Sequence, residues 1–167
     1  MKNIHVLPTD KPSRLLSRGS DCNLILYKKL QNNKKYIHLK THHNYITSDK
    51  EIKEGYYCIR VGRTIIKVSK KDFYSIEKFT VKPNWKKIIL TTDQDLIKDG
   101  VQSIDDEFLE WFVKNQSCEE VEINQEFNPK NMIYGINTNP YKTIIPKKEV
   151  EQEENEIIDI SDHDGIG

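Results

Sequence analysis

The sequence predicts an α+β fold, in which a small curved antiparallel sheet or partly open barrel is combined with one main α-helix at about Ser103 to Asn115. Two observations predict it: short β-rich runs recur at close spacing before residue 92, and a single strongly amphipathic segment follows them. A chain of 167 residues can bury a core, while its last stretch is acidic and lacks aromatic residues. We therefore expect one α+β domain over residues 1–146 and a disordered acidic tail over residues 147–167.

The clearest local signal in the sheet is a hairpin that turns at Gly62-Arg63, because glycine at the first position suits a two-residue type II′ turn. That turn places Ile59 opposite Ile66 on the core side, while the side that carries Cys58 faces mostly solvent. Alternation and β-branched content predict further strands at residues 4–7, 23–27, 36–39, 45–47, 75–81, 87–92, 119–123 and 141–145. Residues 41–44 are typical of a loop, and residues 92–95 of a turn.

Residues 103–115 carry the strongest helix signal. Ser103 stands where an N-cap is expected, and Asp106 completes the capping-box spacing. The acidic residues 105–107 fall in the first turn and Lys114 in the last, which matches the direction of the helix dipole. Large apolar residues recur at the spacing of one helix face: Ile104, Phe108, Leu109, Trp111, Phe112 and Val113. That face must be buried.

Charge is divided unevenly along a chain whose formal net charge is zero. Residues 1–92 contain twenty Lys and Arg against seven Asp and Glu, a balance of +13, whereas residues 93–167 contain six against nineteen, a balance of −13. Such separation indicates a basic surface that meets an acidic partner or is neutralised by the rest of its own chain.

The candidate nucleic-acid or phosphate-binding residues belong to this basic part: Lys34, Lys35, Lys40, Arg60, Arg63, Lys67 and Trp85. Cations interleaved with aromatic residues on a curved sheet are typical of proteins that hold single strands by phosphate neutralisation and base stacking. The alternative is that the aromatic residues belong to the core and the lysines solvate the surface.

Several kinds of site lack their sequence signatures. No glycine-rich phosphate loop occurs, which argues against a nucleotide-hydrolysing enzyme. His42 and His43 are interpreted as exposed loop residues, and Asp93 and Asp95 as turn residues rather than a carboxylate site. The three cysteines lack metal-ligand spacing and are interpreted as reduced thiols. No catalytic residue, metal ion or cofactor is therefore predicted, and no apolar run is long enough to predict a membrane span.

Four segments of the sequence are distinctive enough to compare with known families: MKNIHVLPTDKPSRL at the start, NYITSDKEIKEGYYC from Asn44, IILTTDQDLIKDGVQSIDDEFLEWFVKNQSCEEVEI from Ile88, and YKTIIPKKE from Tyr141. They resemble a family of uncharacterised small proteins of tailed bacteriophages and prophages of Bacteroidetes-type bacteria. The resemblance covers roughly half of the chain and implies a setting rather than an activity. That setting is the cytoplasm of the infected bacterial cell, in preference to the virion.

These observations lead to two hypotheses. The first is a non-enzymatic phage accessory binding module, whose basic β half engages an acidic partner, either nucleic acid or a host protein, away from membranes. The second is a pocket-forming protein that sequesters or cleaves a small phosphorylated ligand, such as a signalling nucleotide, with Arg60 and Arg63. Loss of oligonucleotide binding with rising salt would favour the first, and a deep pocket with convergent arginines the second.

Overall fold

The computed structural model describes residues 2–28, 39–60, 63–78 and 84–146. Within these ranges the strands are β1 Ile4–Thr9, β2 Leu15–Arg18, β3 Asn23–Leu26, β4 Thr41–Ser48, β5 Tyr57–Arg60, β6 Thr64–Lys67, β7 Lys86–Thr91, β8 Gln102–Ser103, β9 Glu122–Gln125, β10 Met132–Ile133, β11 Ile136–Asn137 and β12 Tyr141–Ile144. The helices are α1 Lys70–Lys78, α2 Gln94–Lys98 and α3 Asp106–Lys114, with a short 3-10 turn at Pro129–Asn131. The tail predicted at residues 147–167 lies outside the described residues, as do residues 36–38 of the strand predicted at residues 36–39, whose last residue is not in a strand.

The main sheet is built around β4, which pairs with three other strands. β1 runs antiparallel along one edge of β4, from Ile4 opposite Ile46 to Thr9 opposite Thr41. The other edge is shared, because β2 pairs with the first residues of β4 and β7 with the last ones. Beyond β7 lie β5 and β6, and β8 joins β7 in a parallel pairing. The structure confirms the predicted curved, mostly antiparallel sheet.

One face of this sheet is covered by α3. Phe108 and Phe112 are buried there with their rings stacked, the ring centres 5.8 Å apart. They belong to one core cluster with Ile46 of β4 and Leu90 of β7. Fully burying a large apolar side chain stabilises a fold by about 1.5–3 kcal/mol. The predicted apolar helix face is therefore what holds α3 on the sheet.

The opposite face carries a second core cluster, formed by Tyr45, Ile59, Ile88 and Leu96. Leu7 of β1 and Ile65 of β6 pack against this cluster, although β1 and β6 are the outermost members of the row β1-β4-β7-β5-β6. Strands at both ends of the row pack against this one cluster because the sheet curls around it.

The predicted helix at about Ser103 to Asn115 is confirmed, but its N-cap lies two residues later. The carboxylate of Asp105 accepts the N–H of Phe108 at 2.7 Å and caps α3. Ser103 instead belongs to β8, where it pairs with Thr91 of β7. This strand pairing keeps the backbone extended at Ser103, which excludes it from the helix.

The predicted hairpin is present, but its register differs by one residue. Ile59 pairs with Ile65 rather than with Ile66. The connection contains three residues instead of two, and its last one, Arg63, takes a left-handed conformation with φ +63°. Cys58 therefore lies opposite Ile66 rather than Lys67, and it is buried, as expected for a core or half-buried thiol, on the side of the hairpin that was predicted to face mostly solvent.

Other segments differ from their predicted structure. Residues 41–44 form the first half of β4 rather than a loop, because β1 and β2 supply backbone partners on both edges. Residues 75–78 belong to helix α1, not to a strand, and a short helix, α2, follows β7. β12 pairs with β9 in a separate two-stranded sheet instead of joining the main one. In the described part of the chain, no helix has the length and apolar character needed to cross a membrane.

The start of the chain is fastened to a segment far along the sequence. The side-chain amide of Asn3 donates to the carbonyl of Val121 at 2.7 Å, and its oxygen accepts the N–H of Val121 at 3.0 Å. The backbone N–H of Asn3 also donates to the carbonyl of Glu119 at 2.9 Å. One asparagine side chain thus takes the place of a strand pairing and holds β1 against the segment that leads into β9.

Candidate functional site

The candidate binding residues do not all come together in the structure. Lys34 and Lys35 lie outside the described residues. Lys40 is exposed, but it precedes β4 and is separated from the far end of that strand by about 25 Å at the rise of a β-strand. The other four candidates lie around the β5–β6 hairpin and the start of β7, at that far end: Arg60, Arg63, Lys67 and Trp85.

Arg60 and Trp85 form the centre of this group. The antiparallel register that pairs Cys58 with Lys87 brings Arg60 opposite Trp85. The guanidinium carbon of Arg60 lies 5.9 Å from the centre of the indole ring. Arg60 is exposed and Trp85 is half-buried. Because the face of an aromatic ring attracts cations, the indole ring holds the guanidinium above it.

A second cation–aromatic pair lies beside the first on the same sheet face. The Lys87 ammonium lies 3.7 Å from the centre of the Tyr56 ring. Since Lys87 is the cross-strand partner of Cys58, Lys87 and Arg60 are diagonal neighbours about 7–8 Å apart. We call the four residues Tyr56, Arg60, Trp85 and Lys87 the cationic face.

Within the described ranges, neither cation of the cationic face is held by a carboxylate in a salt bridge, although the positive charge of Arg60 contributes to the lowered pKa of Asp72. Among the described residues, no carboxylate forms a salt bridge with Arg60 or Lys87. An aromatic ring fixes the position of a cation without cancelling its charge, because the ring carries a quadrupole and no net charge. The buried Nε1 of Trp85 is also without an acceptor in the described part of the chain. Cations that are held in place by aromatic rings and form no salt bridge are suited to binding phosphate groups.

Lys67 differs from Arg60, although the sequence grouped them. It lies opposite Tyr57 on the other face of the hairpin, with its ammonium 3.1 Å from Asp99 and 5.1 Å from the centre of the Tyr57 ring. Hydrogen bonds from Tyr57 and then from Lys67 hold the pKa of Asp99 below its usual value. Lys67 is therefore neutralised by a neighbour. Arg63 is exposed in the hairpin loop, beside the cationic face in sequence but outside its cation–aromatic pairs.

Two cavities flank Tyr141, where β12 approaches β7. The first has a volume of about 570 Å³ and lies between β9 and the end of β4. The second has a volume of about 680 Å³ and is bordered by Tyr56 and Lys87 of the cationic face. Neither cavity is lined by Arg60 or Arg63. The arginines that the pocket hypothesis requires therefore do not converge in these two cavities.

The sequence reasoning missed a buried polar cluster where β4, β7 and α2 meet. His43 is 1% exposed, and its Nδ1 lies 3.2 Å from Thr92 Oγ1. The Asp93 carboxylate is also buried and accepts two hydrogen bonds, from the Tyr45 hydroxyl at 3.0 Å and from the N–H of Asp95 at 3.0 Å. Burial lowers the pKa of His43 and raises that of Tyr45, which the negative charge of Asp93 raises further.

The hydrogen bond that the Asp93 carboxylate accepts from the N–H of Asp95 makes Asp93 the N-cap of α2. An Asp directly before a short helical segment was the sequence signal that could have revealed this role. Asp93 thus joins Tyr45 of β4 to the start of α2, whereas the buried Nε2 of His43 has no hydrogen-bond partner among the described residues.

His42 is buried on the opposite face of β4 from His43, as the alternation of a strand requires. Burial lowers the pKa of His42 as well. In the ranges that the structure describes, no three His, Cys, Asp or Glu side chains are grouped so that they could hold a metal ion. Both histidines belong to β4, and the prediction that they are exposed loop residues was wrong because core clusters pack on both faces of this strand.

Fold and site together define a small α+β protein with a cationic face in which Arg60 is exposed and the other three residues are half-buried. Compared with known proteins, the chain matches no family model, no curated protein and no solved structure.

Proposed function

We propose that this chain is a non-enzymatic binding module that holds single-stranded nucleic acid on its cationic face. The observation that carries the proposal is the pair of adjacent cation–aromatic contacts, Arg60 on Trp85 and Lys87 on Tyr56, in which neither cation has a salt-bridge partner among the described residues. Backbone phosphates require fixed positive charge, and unpaired bases stack on aromatic rings. The cationic face offers both within one sheet surface.

The side chains of this surface support binding more than catalysis. Arg60, Lys87 and Trp85 provide hydrogen-bond donors and charge but no nucleophile. The one nucleophilic group between them is the Cys58 thiol, and burial raises its pKa to about 11. At neutral pH that thiol stays protonated, and the thiolate is the reactive form of cysteine.

The wider setting is also part of the proposal. The balance of +13 over residues 1–92 supports long-range attraction of a polyanion to this half of the chain. The resemblance to proteins of tailed bacteriophages and prophages supports action in the cytoplasm of the infected bacterial cell. The acidic partner is then a nucleic acid present during infection.

The direct test measures fluorescence anisotropy of a labelled oligothymidine of about 20 nucleotides at several salt concentrations. Binding should weaken steeply with salt, because each neutralised phosphate contributes about 0.7 to the slope of log K against log salt for single strands. Replacing both Arg60 and Lys87 by alanine should lower that slope by about 1.4. Trp85→Leu should weaken binding by about 1–3 kcal/mol through lost stacking while leaving the slope in place.

Lys67→Ala is the matched control, since Lys67 is an exposed cation of the same hairpin that Asp99 already neutralises. Its slope and affinity should stay close to those of the unchanged chain. The proposal is wrong if no binding is detected at low salt, or if Lys67→Ala has the same effect as Arg60→Ala. If the chain binds duplex DNA with the same affinity as the single-stranded oligothymidine, the proposed preference for single strands is wrong.

The second hypothesis, a pocket for a small phosphorylated ligand, has weaker support, because Arg60 and Arg63 line neither of the two cavities beside Tyr141. Calorimetry with a nucleoside triphosphate distinguishes the two. Saturable binding of the nucleotide without binding of oligothymidine would favour the pocket. A chain that binds neither would leave a host protein as the partner.

A further inference from the structure

The segment between β9 and β12 presents an apolar hairpin to solvent. Ile133 of β10 pairs with Ile136 of β11, and the turn between them is Tyr134-Gly135. Both turn residues have positive φ, +50° and +78°, which identifies a type I′ turn. Tyr134 is 99% exposed, and the two isoleucines are 57% and 67% exposed. A bulky residue is thus held at a rarely populated backbone angle with its ring fully in solvent. We call residues 133–136 the knob.

The knob stands on a network of amide hydrogen bonds. Asn139 is buried, donates to the carbonyl of Glu126, and accepts from the side chain of Asn131 at 2.5 Å. Gln125 donates to the carbonyls of Asn139 at 2.6 Å and Asn137 at 3.3 Å. Because these bonds fix both ends of the segment, the knob is preorganised, and binding it costs little conformational entropy.

The cavity of about 570 Å³ lies directly beside the knob. Its walls include Phe127 and Asn137 of the same segment, together with Ile89, Ile123 and Tyr141. Its charged groups balance, with two acids and two lysines: Asp49, Glu120, Lys50 and Lys86. The space can take a large side chain that carries one polar group at its tip. We call this cavity the hole.

We propose that the chain forms a two-fold dimer in which the knob of each copy enters the hole of the other. A two-fold interface brings the same patch of two copies together, so a knob and a hole side by side on one surface are self-complementary. The Tyr134 ring would enter the hole and occupy part of it, and its hydroxyl would meet polar groups such as Asn124 and Ser48. The dimer needs no conformational change, because the knob already projects.

Area and charge favour a second copy over other occupants. The exposed parts of Phe127, Ile133, Tyr134 and Ile136 amount to about 600 Å² at roughly 200 Å² per large side chain. A standard interface buries about 800 Å² per partner, so these four side chains supply most of it. Residues 127–140 carry one charged side chain, Lys130. A nucleic acid or an anionic membrane would require more cations than this segment has.

The first experiment is sedimentation velocity on the full chain over a concentration range up to about 300 µM. The unchanged chain should shift from monomer to dimer, and Tyr134→Ser should raise the dissociation constant at least about thirtyfold, as a central aromatic anchor would. Tyr74→Ser is the matched control, because Tyr74 is 65% exposed on α1 and remote in sequence from the knob. A chain that stays monomeric throughout, or a dimer unaffected by Tyr134→Ser, overturns the proposal.

The second experiment separates knob-in-hole contact from contact between two knobs. Asn124 lines the hole, so Asn124→Trp should fill it and weaken the homodimer as Tyr134→Ser does. A mixture of the two variants keeps one intact contact, the knob of the Asn124→Trp copy in the hole of the Tyr134→Ser copy. Mixed dimers should therefore form at concentrations where neither variant associates alone. If Asn124→Trp dimerises like the unchanged chain, or if the mixture does not associate, the knob-in-hole dimer is refuted. Circular dichroism of each variant confirms that it is folded.

Discussion

Replacing Asp93 by alanine should lower the free energy of unfolding by about 1.5–5 kcal/mol. The carboxylate has two separate structural roles, one for each oxygen. Oδ1 accepts the N–H of Asp95 and caps α2, and losing an N-cap costs about 0.5–2 kcal/mol. Oδ2 accepts the hydroxyl of Tyr45, which is only 3% exposed, and leaving that buried hydroxyl without a partner costs about 1–3 kcal/mol. The two losses should add, because they concern different hydrogen bonds.

Asp93→Asn is the matched control for this change. Asparagine is as good an N-cap as aspartate, and the Tyr45 hydroxyl can accept from its amide instead of donating. Asp93→Asn should therefore stay within about 1 kcal/mol of the unchanged chain. Tyr45→Phe separates the two roles, because in that background Asp93→Ala should cost only the cap, about 1 kcal/mol.

The assay is urea unfolding followed by far-ultraviolet circular dichroism at pH 7, with the free energy extrapolated to zero denaturant. Two outcomes would refute the reasoning. If Asp93→Asn is as destabilising as Asp93→Ala, the negative charge matters and the hydrogen bonds do not. If Asp93→Ala costs the same with Tyr45 as with Phe at that position, the hydroxyl does not depend on the carboxylate.

Three further predictions concern the core, the buried histidines and the cysteines. Phe108→Ala should cost about 3–5 kcal/mol in the same urea assay, because the ring is fully buried under α3, and a cost below 1 kcal/mol would contradict its place in the core. Burial lowers the pKa of His42 and His43, so the unfolded chain takes up protons first as the pH falls. The free energy of unfolding should therefore decrease as the pH is lowered from neutral through the unfolded histidine pKa of about 6.5, and an increase would contradict this sign. A thiol reagent should label exposed Cys22 quickly in the native chain and buried Cys58 only on unfolding, and equal labelling rates would show that β5 is open to solvent.

The helix boundaries show where local sequence is sufficient and where it is not. The pattern Ser-x-x-Asp occurs before both α1 and α3. At α1 it is a true capping box, in which Asp72 accepts the N–H of Ser69 at 3.1 Å and Ser69 Oγ accepts the N–H of Asp72 at 3.2 Å. The same pattern at Ser103 and Asp106 is not a box, because Ser103 pairs with Thr91 in the sheet. Only the long-range strand pairing of Ser103 distinguishes the two Ser-x-x-Asp patterns. The strand prediction at residues 75–81 therefore overlooked a local helix signal. The N-cap of α3, in contrast, could not have been placed correctly from the local sequence.

The cationic face was predictable to a similar degree. Arg60 and Trp85 follow from the basic and aromatic composition, but their contact depends on the register between β5 and β7, which the sequence does not encode locally. The same composition included Lys67, whose charge is cancelled by Asp99 from a turn about thirty residues later. Residues 41–44 were predicted to be a loop because their side chains are polar. They form a strand because their backbone has hydrogen-bonding partners in distant segments, and β4 pairs with β1, β2 and β7.

The hydrogen bonds between Asn3 and Val121 join residues 118 positions apart, and this has a consequence for biosynthesis. During translation, β1 can pair with β4 once β4 has been made, but the hydrogen bonds of Asn3 cannot form until Val121 has left the ribosome. The start of β1 therefore lacks its second contact for most of the synthesis. An exposed strand edge can pair with the same edge of another nascent chain. We therefore expect the yield of native protein to depend on the rate of synthesis, and fragments that end before residue 121 to aggregate even though they contain the whole main sheet.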